Sequence, residues 1–302
     1  MKRTDSNISG HLACFAAYAI FGINIITCKD LTSSNIFSPI ALFCIRSSSA
    51  ALIFWIISAF MPCEKVDKKD YLKILAASFL GFFLTQMTFL IAIPDISPMN
   101  CAIVSSMSPV YTMFIAAFAL KEPITAKKAG GVLLSLAGII WLIMSSGNPS
   151  EGTSTNIRGF LLMVGNSLSF SLYLGLFKPV IKKYSVVTFM KWIFLFATMM
   201  SLPLAFSDII NAEFSRMTPR LGFDLTFLVV GATFIAYFLI PFGQKRIRPT
   251  LVSLYSYAQP IIATSISIII GMDMLTWQKA AAALAVIIGV LLVNFSRSAQ
   301  GN

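Results

Sequence analysis

Arg46 is the charge set deepest in an apolar stretch of this sequence, about nine residues into the run 37–60. An arginine near the centre of a membrane helix costs at least about 2.5–3.5 kcal/mol. The position therefore points to an anion contact or a gate residue, or to a cation buried against helix ends. The other polar side chains in apolar runs are neutral: Asn24, Thr85, Gln86, Thr88, Asn166, Ser169, Tyr173, Thr233 and Tyr237. An amide or hydroxyl left unsatisfied in an apolar medium costs about 2–7 kcal/mol. Such groups must bind helices together or line a cavity. Glue suffices for single Ser and Thr residues, whereas the larger amides Asn24, Gln86 and Gln259 suit either role. Two prolines, Pro109 and Pro260, fall within apolar runs beside hydroxyls and amides. Ser105, Ser106 and Ser108 flank the first, and Tyr255, Ser256, Tyr257 and Gln259 the second. A proline inside a helix removes one backbone hydrogen bond, and in lipid the freed carbonyl needs a partner within the protein. The spacing predicts two kinked helices facing a substrate path. The expected cavity comprises Asn24, Gln86, Ser105, Ser108, Pro109, Asn166, Tyr173, Tyr237, Ser256, Tyr257, Gln259 and Pro260.

Other chemistries lack their residues. The single histidine, His11, opens an apolar stretch and builds no histidine-based metal site. Cys14, Cys28, Cys44, Cys63 and Cys101 are scattered with no C-x-x-C pair, which argues against a disulfide framework or zinc. No Gly-x-x-x-x-Gly-Lys-Ser/Thr loop is present for ATP, and no carboxylate lies deep in an apolar run to support proton coupling. Neither a cofactor nor a catalytic residue is expected. Glu122 and Asp273 end apolar runs just before Thr125 and Thr276, where capping of the next helix is the expected role.

The positioning elements follow from composition. The chain of 302 residues is 57% hydrophobic and 12% charged, against about 45–50% and about 25% in soluble domains. A net charge of +11 is read as basic loops facing the cytoplasm rather than as a nucleic-acid surface. Stretches of about 20 apolar residues suffice to span a bilayer. Ten such segments are predicted: 10–28, 37–60, 72–93, 99–120, 128–145, 159–177, 186–206, 222–243, 250–270 and 277–295. Lys2 and Arg3 before the first run resemble a signal peptide, but no small-x-small cleavage site follows, so an uncleaved helix is expected. Alternate loops receive 17 and 5 Lys and Arg, with Arg46 the remaining one. This bias predicts a multi-pass inner (plasma) membrane protein with both termini cytoplasmic.

The chain also repeats itself. At an offset of 151, Pro98, Ser105, Pro109, Glu122, Thr125, Lys128 and Gly138 meet Pro249, Ser256, Pro260, Asp273, Thr276, Lys279 and Gly289. Gly10 and Lys29 meet Gly159 and Lys178 at an offset of 149. Two domains of five helices follow, 10–145 and 159–297. An odd helix number inverts the second half relative to the first, a build common in secondary transporters. Ala281, Ala285 and Gly289, with Gly131 and Ser135, have the spacing for close packing of the fifth and tenth helices.

Over about 10–297 the sequence resembles the EamA-type transporters of the drug/metabolite transporter superfamily. The resemblance rests on "SPIALFCIRSSSAALIFW" with Arg46, on "SSMSPVYTMFIAAFALKEPITAKKAGGVLLSLAGIIWL", and on "SYAQPIIATSISIIIGMDMLTWQKAAAALAVIIGVLLV". Asp273 stands where that family has Glu, and Ala281 or Ala282 where it has Gly. The resemblance implies two five-helix repeats and transport of amino acids, nucleotide precursors or other metabolites. The expected protein is thus an all-α membrane carrier of ten transmembrane helices in two inverted five-helix repeats. It takes a small-molecule substrate by alternating access, amino acids among the candidates. A monomer in the lipid bilayer is expected, a dimer being the alternative, with no nucleic-acid partner. A membrane-embedded enzyme and a passive channel are the alternative functions.

Overall fold

The computed structural model describes residues 2–120, 126–145, 156–247, 252 and 255–295. Glu122 and Thr125 lie outside the described residues. All regular structure within these bounds is helical. The helices of eight or more residues are α1 (Lys2–Ser33), α2 (Pro39–Ala59), α3 (Lys68–Asp95), α4 (Pro98–Ser105), α5 (Ser108–Leu120), α6 (Ala126–Ser145), α7 (Ile157–Leu176), α8 (Val186–Ile210), α9 (Pro219–Arg246), α10 (Ala258–Ile269) and α11 (Trp277–Phe295). Within these bounds, six stretches are long and apolar enough to cross a membrane, in α1, α2, α3, α7, α8 and α9. Shorter apolar helices cover Ala129–Leu142 and Trp277–Gly289. Large apolar side chains face outward, including Leu72, Met144 and Ile269 at 72%, 79% and 82% exposure. Water would disfavour such a surface and lipid matches it. This is a multi-pass membrane protein.

Helix starts follow local chemistry. Ser38, Ser97 and Thr218 each precede a proline and accept a hydrogen bond from the backbone three residues on, capping α2, α4 and α9. Ser185 caps α8 in the same way. Thr276 Oγ1 accepts from Lys279 N at 3.4 Å, the helix-capping role expected from its position. Asp273 joins two elements. It accepts from Met99 N at the start of α4 and from the buried Lys279 ammonium at 2.8 Å.

The prolines act differently from the continuous kinked helices expected. The span containing Pro109 is broken at Ser106–Met107, and Pro109 occupies the first turn of α5. Before Pro260, residues Tyr255–Tyr257 form a tight 3-10 turn, and Pro260 lies in the first turn of α10. In a first turn proline's missing N–H leaves no hydrogen bond unmade, so each break precedes its proline rather than bending around it.

Wider turns interrupt α3 at Phe79–Leu84 and α9 at Phe227–Ile235. These π segments leave carbonyls for side chains. Thr85 Oγ1 donates to Leu80 O and Thr233 Oγ1 to Leu228 O, each at 2.7 Å across five residues.

Packing repeats along with the sequence. A Cβ on Gly10 would lie 2.9 Å from Arg246 Cβ, and one on Gly159 2.8 Å from Asp95 O. These two glycines are the pair offset by 149. Lys29 Nζ donates to the carbonyls of Ile93, Pro94 and Ile96, and Lys178 Nζ to that of Ile247 at 3.3 Å. Helices α6 and α11 pack together where a Cβ on Gly138 would lie 3.0 Å from Ala282 O and one on Gly289 2.5 Å from Gly131 O. The small-residue spacing thus brings these two helices together.

Candidate functional site

A cavity of about 60 Å³ opens among α1, α3, α4, α5, α7, α9 and α10. Seven of the twelve residues expected to form a cavity line it: Asn24, Gln86, Ser105, Ser108, Asn166, Tyr237 and Gln259. Aromatic walls come from Tyr18, Phe21, Phe89 and Phe170. The break before α5 places Ser105 and Ser108 on the wall, one from each piece. Ser105 Oγ donates to Cys101 O at 2.9 Å, and the Ser108 backbone carbonyl accepts from Thr112 Oγ1 and Ser171 Oγ. The π segment of α3 fixes a third wall. Asn166 Nδ2 donates to Thr85 O at 2.5 Å, and Ser169 Oγ to Leu80 O at 2.7 Å.

Arg46 stands behind this wall, fully buried. Its Nη1 donates to Gln86 Oε1 at 2.5 Å and its Nε to Thr233 Oγ1 at 2.8 Å. The guanidinium carbon lies 5.8 Å from the centre of the Phe82 ring. Gln86 Nε2 in turn donates to Tyr237 Oη at 2.5 Å. A guanidinium has no acceptor atom, so it must meet the amide oxygen of Gln86, which turns the amide nitrogen towards Tyr237. Both π segments serve this network: Gln86 follows the first, and Thr233 lies within the second.

The remaining selected residues lie off the wall. Pro109 and Pro260 begin helix pieces rather than face the cavity. Tyr173 is buried against Gly81, with its ring stacked on Phe170 and Phe177. Ser256 is buried and Tyr257 half-buried. The hydroxyls of all three have no hydrogen-bond partner among the described residues.

A model of the EamA-like transporter family matches residues 8–144 and 157–295. The chain belongs to the EamA-like transporter family. Several relatives of this EamA-like chain span most of its length. The Bacillus subtilis (strain 168) protein called uncharacterized transporter YetK is 23% identical over 86% of this chain and 79% of its own. An uncharacterized transporter of Archaeoglobus fulgidus is 22% identical over 86% of this chain and 90% of its own. The uncharacterized inner membrane transporter YicL of Salmonella typhimurium (strain LT2) is 24% identical over 88% of each. A crystal structure superposes with a TM-score of 0.64 over 92% of this chain and 98% of its own, at 17% identity, a likeness of fold.

Within this EamA-like chain, sequence reasoning passed over the aromatic lining residues. Phenylalanines abound here, so Phe21, Phe89 and Phe170 carry no signal by type. Phe21 and Phe170 are nonetheless 149 residues apart, the interval that pairs Gly10 with Gly159. Extending that offset along the first helix of each half was the available signal. Tyr18, buried and aromatic, offered only its hydroxyl.

Proposed function

We propose that this chain is a secondary transporter of small organic metabolites, amino acids among them, and that it works by alternating access. In this reading ten helices span the inner membrane as two inverted five-helix repeats, 10–145 and 159–297, with both termini cytoplasmic. The carrying observation is the Gln86–Tyr237 hydrogen bond. Its partners lie on α3 and α9, the third long helix of each half, and both line the cavity. Matching helices of two repeats touch close to the axis that relates the repeats. That supports a binding cavity at the repeat interface, the usual site in such carriers.

Further observations agree. Ser135 Oγ donates to Val286 O at 3.3 Å, across an interval of 151. The turn at 93–96 holds Lys29 and abuts Gly159, while Ile247 holds Lys178 and its neighbour Arg246 abuts Gly10. Two matched clasps are what a carrier needs to seal its two faces in turn. The cavity wall is neutral apart from the charge behind Gln86 and carries hydroxyls and amides rather than an acid–base pair. The chain acts without a cofactor and as a monomer.

Reconstitution in liposomes tests this reading. Counterflow of a labelled metabolite should saturate, whereas a linear, non-saturating leak would mark a pore. A reporter fused after Asn302 should be active only in the cytoplasm, and activity only outside would overturn the topology.

A further inference from the structure

Three donor groups around the cavity have no acceptor among the described residues. Tyr18 Oη is buried and has no hydrogen-bond partner among the described residues. Tyr237 Oη accepts from Gln86 and leaves its own proton unplaced. Asn24 receives a weak 3.5 Å contact from the Cys28 thiol on its oxygen, and its amide nitrogen makes no hydrogen bond among the described residues. Tyr18, Asn24 and Tyr237 all line the same cavity.

Behind them sits a cation with no counter-ion among the described residues. Arg46 is fully buried, forms no ion pair among the described residues, and has an Nη2 with no hydrogen-bond partner there. An uncompensated buried charge is strongly unfavourable, and each buried orphan donor adds to that. No carboxylate side chain lines the cavity. A pocket with unused donors, one positive charge behind its wall and no negative one is short of a single anionic acceptor.

We propose that the cavity binds an organic monocarboxylate, its carboxylate received by the Tyr18 and Tyr237 hydroxyls and the Asn24 amide under the field of Arg46. This rests on the transporter reading and names its substrate class. A single cation neutralises a single negative charge, which favours a carboxylate over a phosphate dianion. The body of the substrate meets Phe21, Phe89 and Phe170, so an apolar side group is accommodated. Asn166 commits its amide nitrogen to Thr85 O and keeps an oxygen for a donor, so an α-amino group is tolerated but not required. Arg46 is a positioning residue, since it orients Gln86 and through it the Tyr237 hydroxyl.

The test uses the full chain purified in detergent and in liposomes. The probes are isovalerate, leucine and 3-phenylpropionate, set against isoamylamine, 3-phenylpropylamine and phenyl phosphate. The acids should raise the thermal unfolding midpoint and enter liposomes saturably, while the amines and the phosphate do neither. Tyr18→Phe deletes only an orphan hydroxyl, so it should leave the unliganded midpoint unchanged or higher and weaken acid binding about tenfold, about 1.4 kcal/mol. Arg46→Gln should abolish the acid response, with Arg46→Lys intermediate. Stabilisation by the amines or the phosphate equal to that by the acids overturns the inference and leaves the transport reading standing. So does acid binding indifferent to Tyr18→Phe. Acid-specific stabilisation without saturable uptake of any probe supports the inference and overturns transport.

Discussion

Gln86 and Tyr237 are hydrogen-bonded at 2.5 Å although 151 residues separate them and they lie on the third long helix of each half, α3 and α9. Each follows a π segment, Phe79–Leu84 in α3 and Phe227–Ile235 in α9. The same local irregularity in both halves thus delivers two different side chains to one point on the cavity wall. Tyr237→Phe should strand the Gln86 amide nitrogen in a buried site, at about 1–3 kcal/mol of stability. Because Gln86→Leu removes the group stranded by Tyr237→Phe, the double variant should be more stable than the sum of the single changes allows. Strictly additive unfolding midpoints would mean that this bond contributes nothing.

Substrate preference should reside more in α10 than in α5. Gln259 and Ser108 occupy equivalent positions and both line the cavity, but the glutamine offers a donor and an acceptor on a longer arm. Gln259→Ala should lower transport about tenfold, equivalent to about 1.4 kcal/mol, without loss of folded protein. Ser108→Ala should do less. Normal flux through Gln259→Ala beside a dead Ser108→Ala would reverse the assignment.

Close packing of α6 on α11 depends on Gly289. A Cβ there would run into Ser135 Oγ and come to 2.5 Å from Gly131 O and 2.7 Å from Ser135 N. Backbone atoms cannot swing aside as a side-chain tip can, so Gly289→Ala should destabilise by about 1–3 kcal/mol, as overpacking does. Gly130 has nothing within 4 Å of its Cβ direction. Gly130→Ala should therefore stabilise its helix by about 0.5–1 kcal/mol. Midpoints in detergent that move together for the two variants would contradict this contrast.

Glu64, in the turn after α2, should make stability sensitive to acid. Its two carboxylate oxygens accept from Ser185 N at 3.1 and 2.9 Å, at the start of α8. Burial pushes this carboxyl up, but hydrogen bonds from Ser185 and Thr188 and the nearby Lys245 charge more than offset it and hold the group below its ordinary value of 4.5. A depressed carboxylate contributes stability that is present above 4.5 and lost as the pH falls through the folded-state value. As the pH is lowered below 4.5, wild type should lose more stability than Glu64→Gln. Parallel pH curves for the two proteins would exclude the contribution.

Much of the membrane character was legible in the residues themselves, because lipid leaves few choices. Long apolar runs, basic residues gathered in every other loop and paired prolines follow from the needs of hydrocarbon and backbone. The duplication was legible because Gly10, Lys29, Pro109 and Gly138 recur at nearly fixed intervals in Gly159, Lys178, Pro260 and Gly289. That polar residues such as Asn24, Gln86 and Gln259 deserved notice was also legible, since an amide in an apolar run must find a partner. Which partner it finds was not. Tyr173, Ser256 and Tyr257 have the same chemistry as Tyr18, Ser105 and Tyr237, yet lie off the wall. The difference is set by helix rotation and, for Tyr237, by the π segment before it on α9, which changes the angular position of every later side chain on that helix. The prolines show the same limit, since their ring geometry permits a kink or a fresh start and only neighbouring helices select between them. Residue type determined here what must be buried, paired or bent; tertiary packing decided with whom, because contacts such as Arg46–Gln86–Tyr237 join three helices whose rotation no single segment encodes.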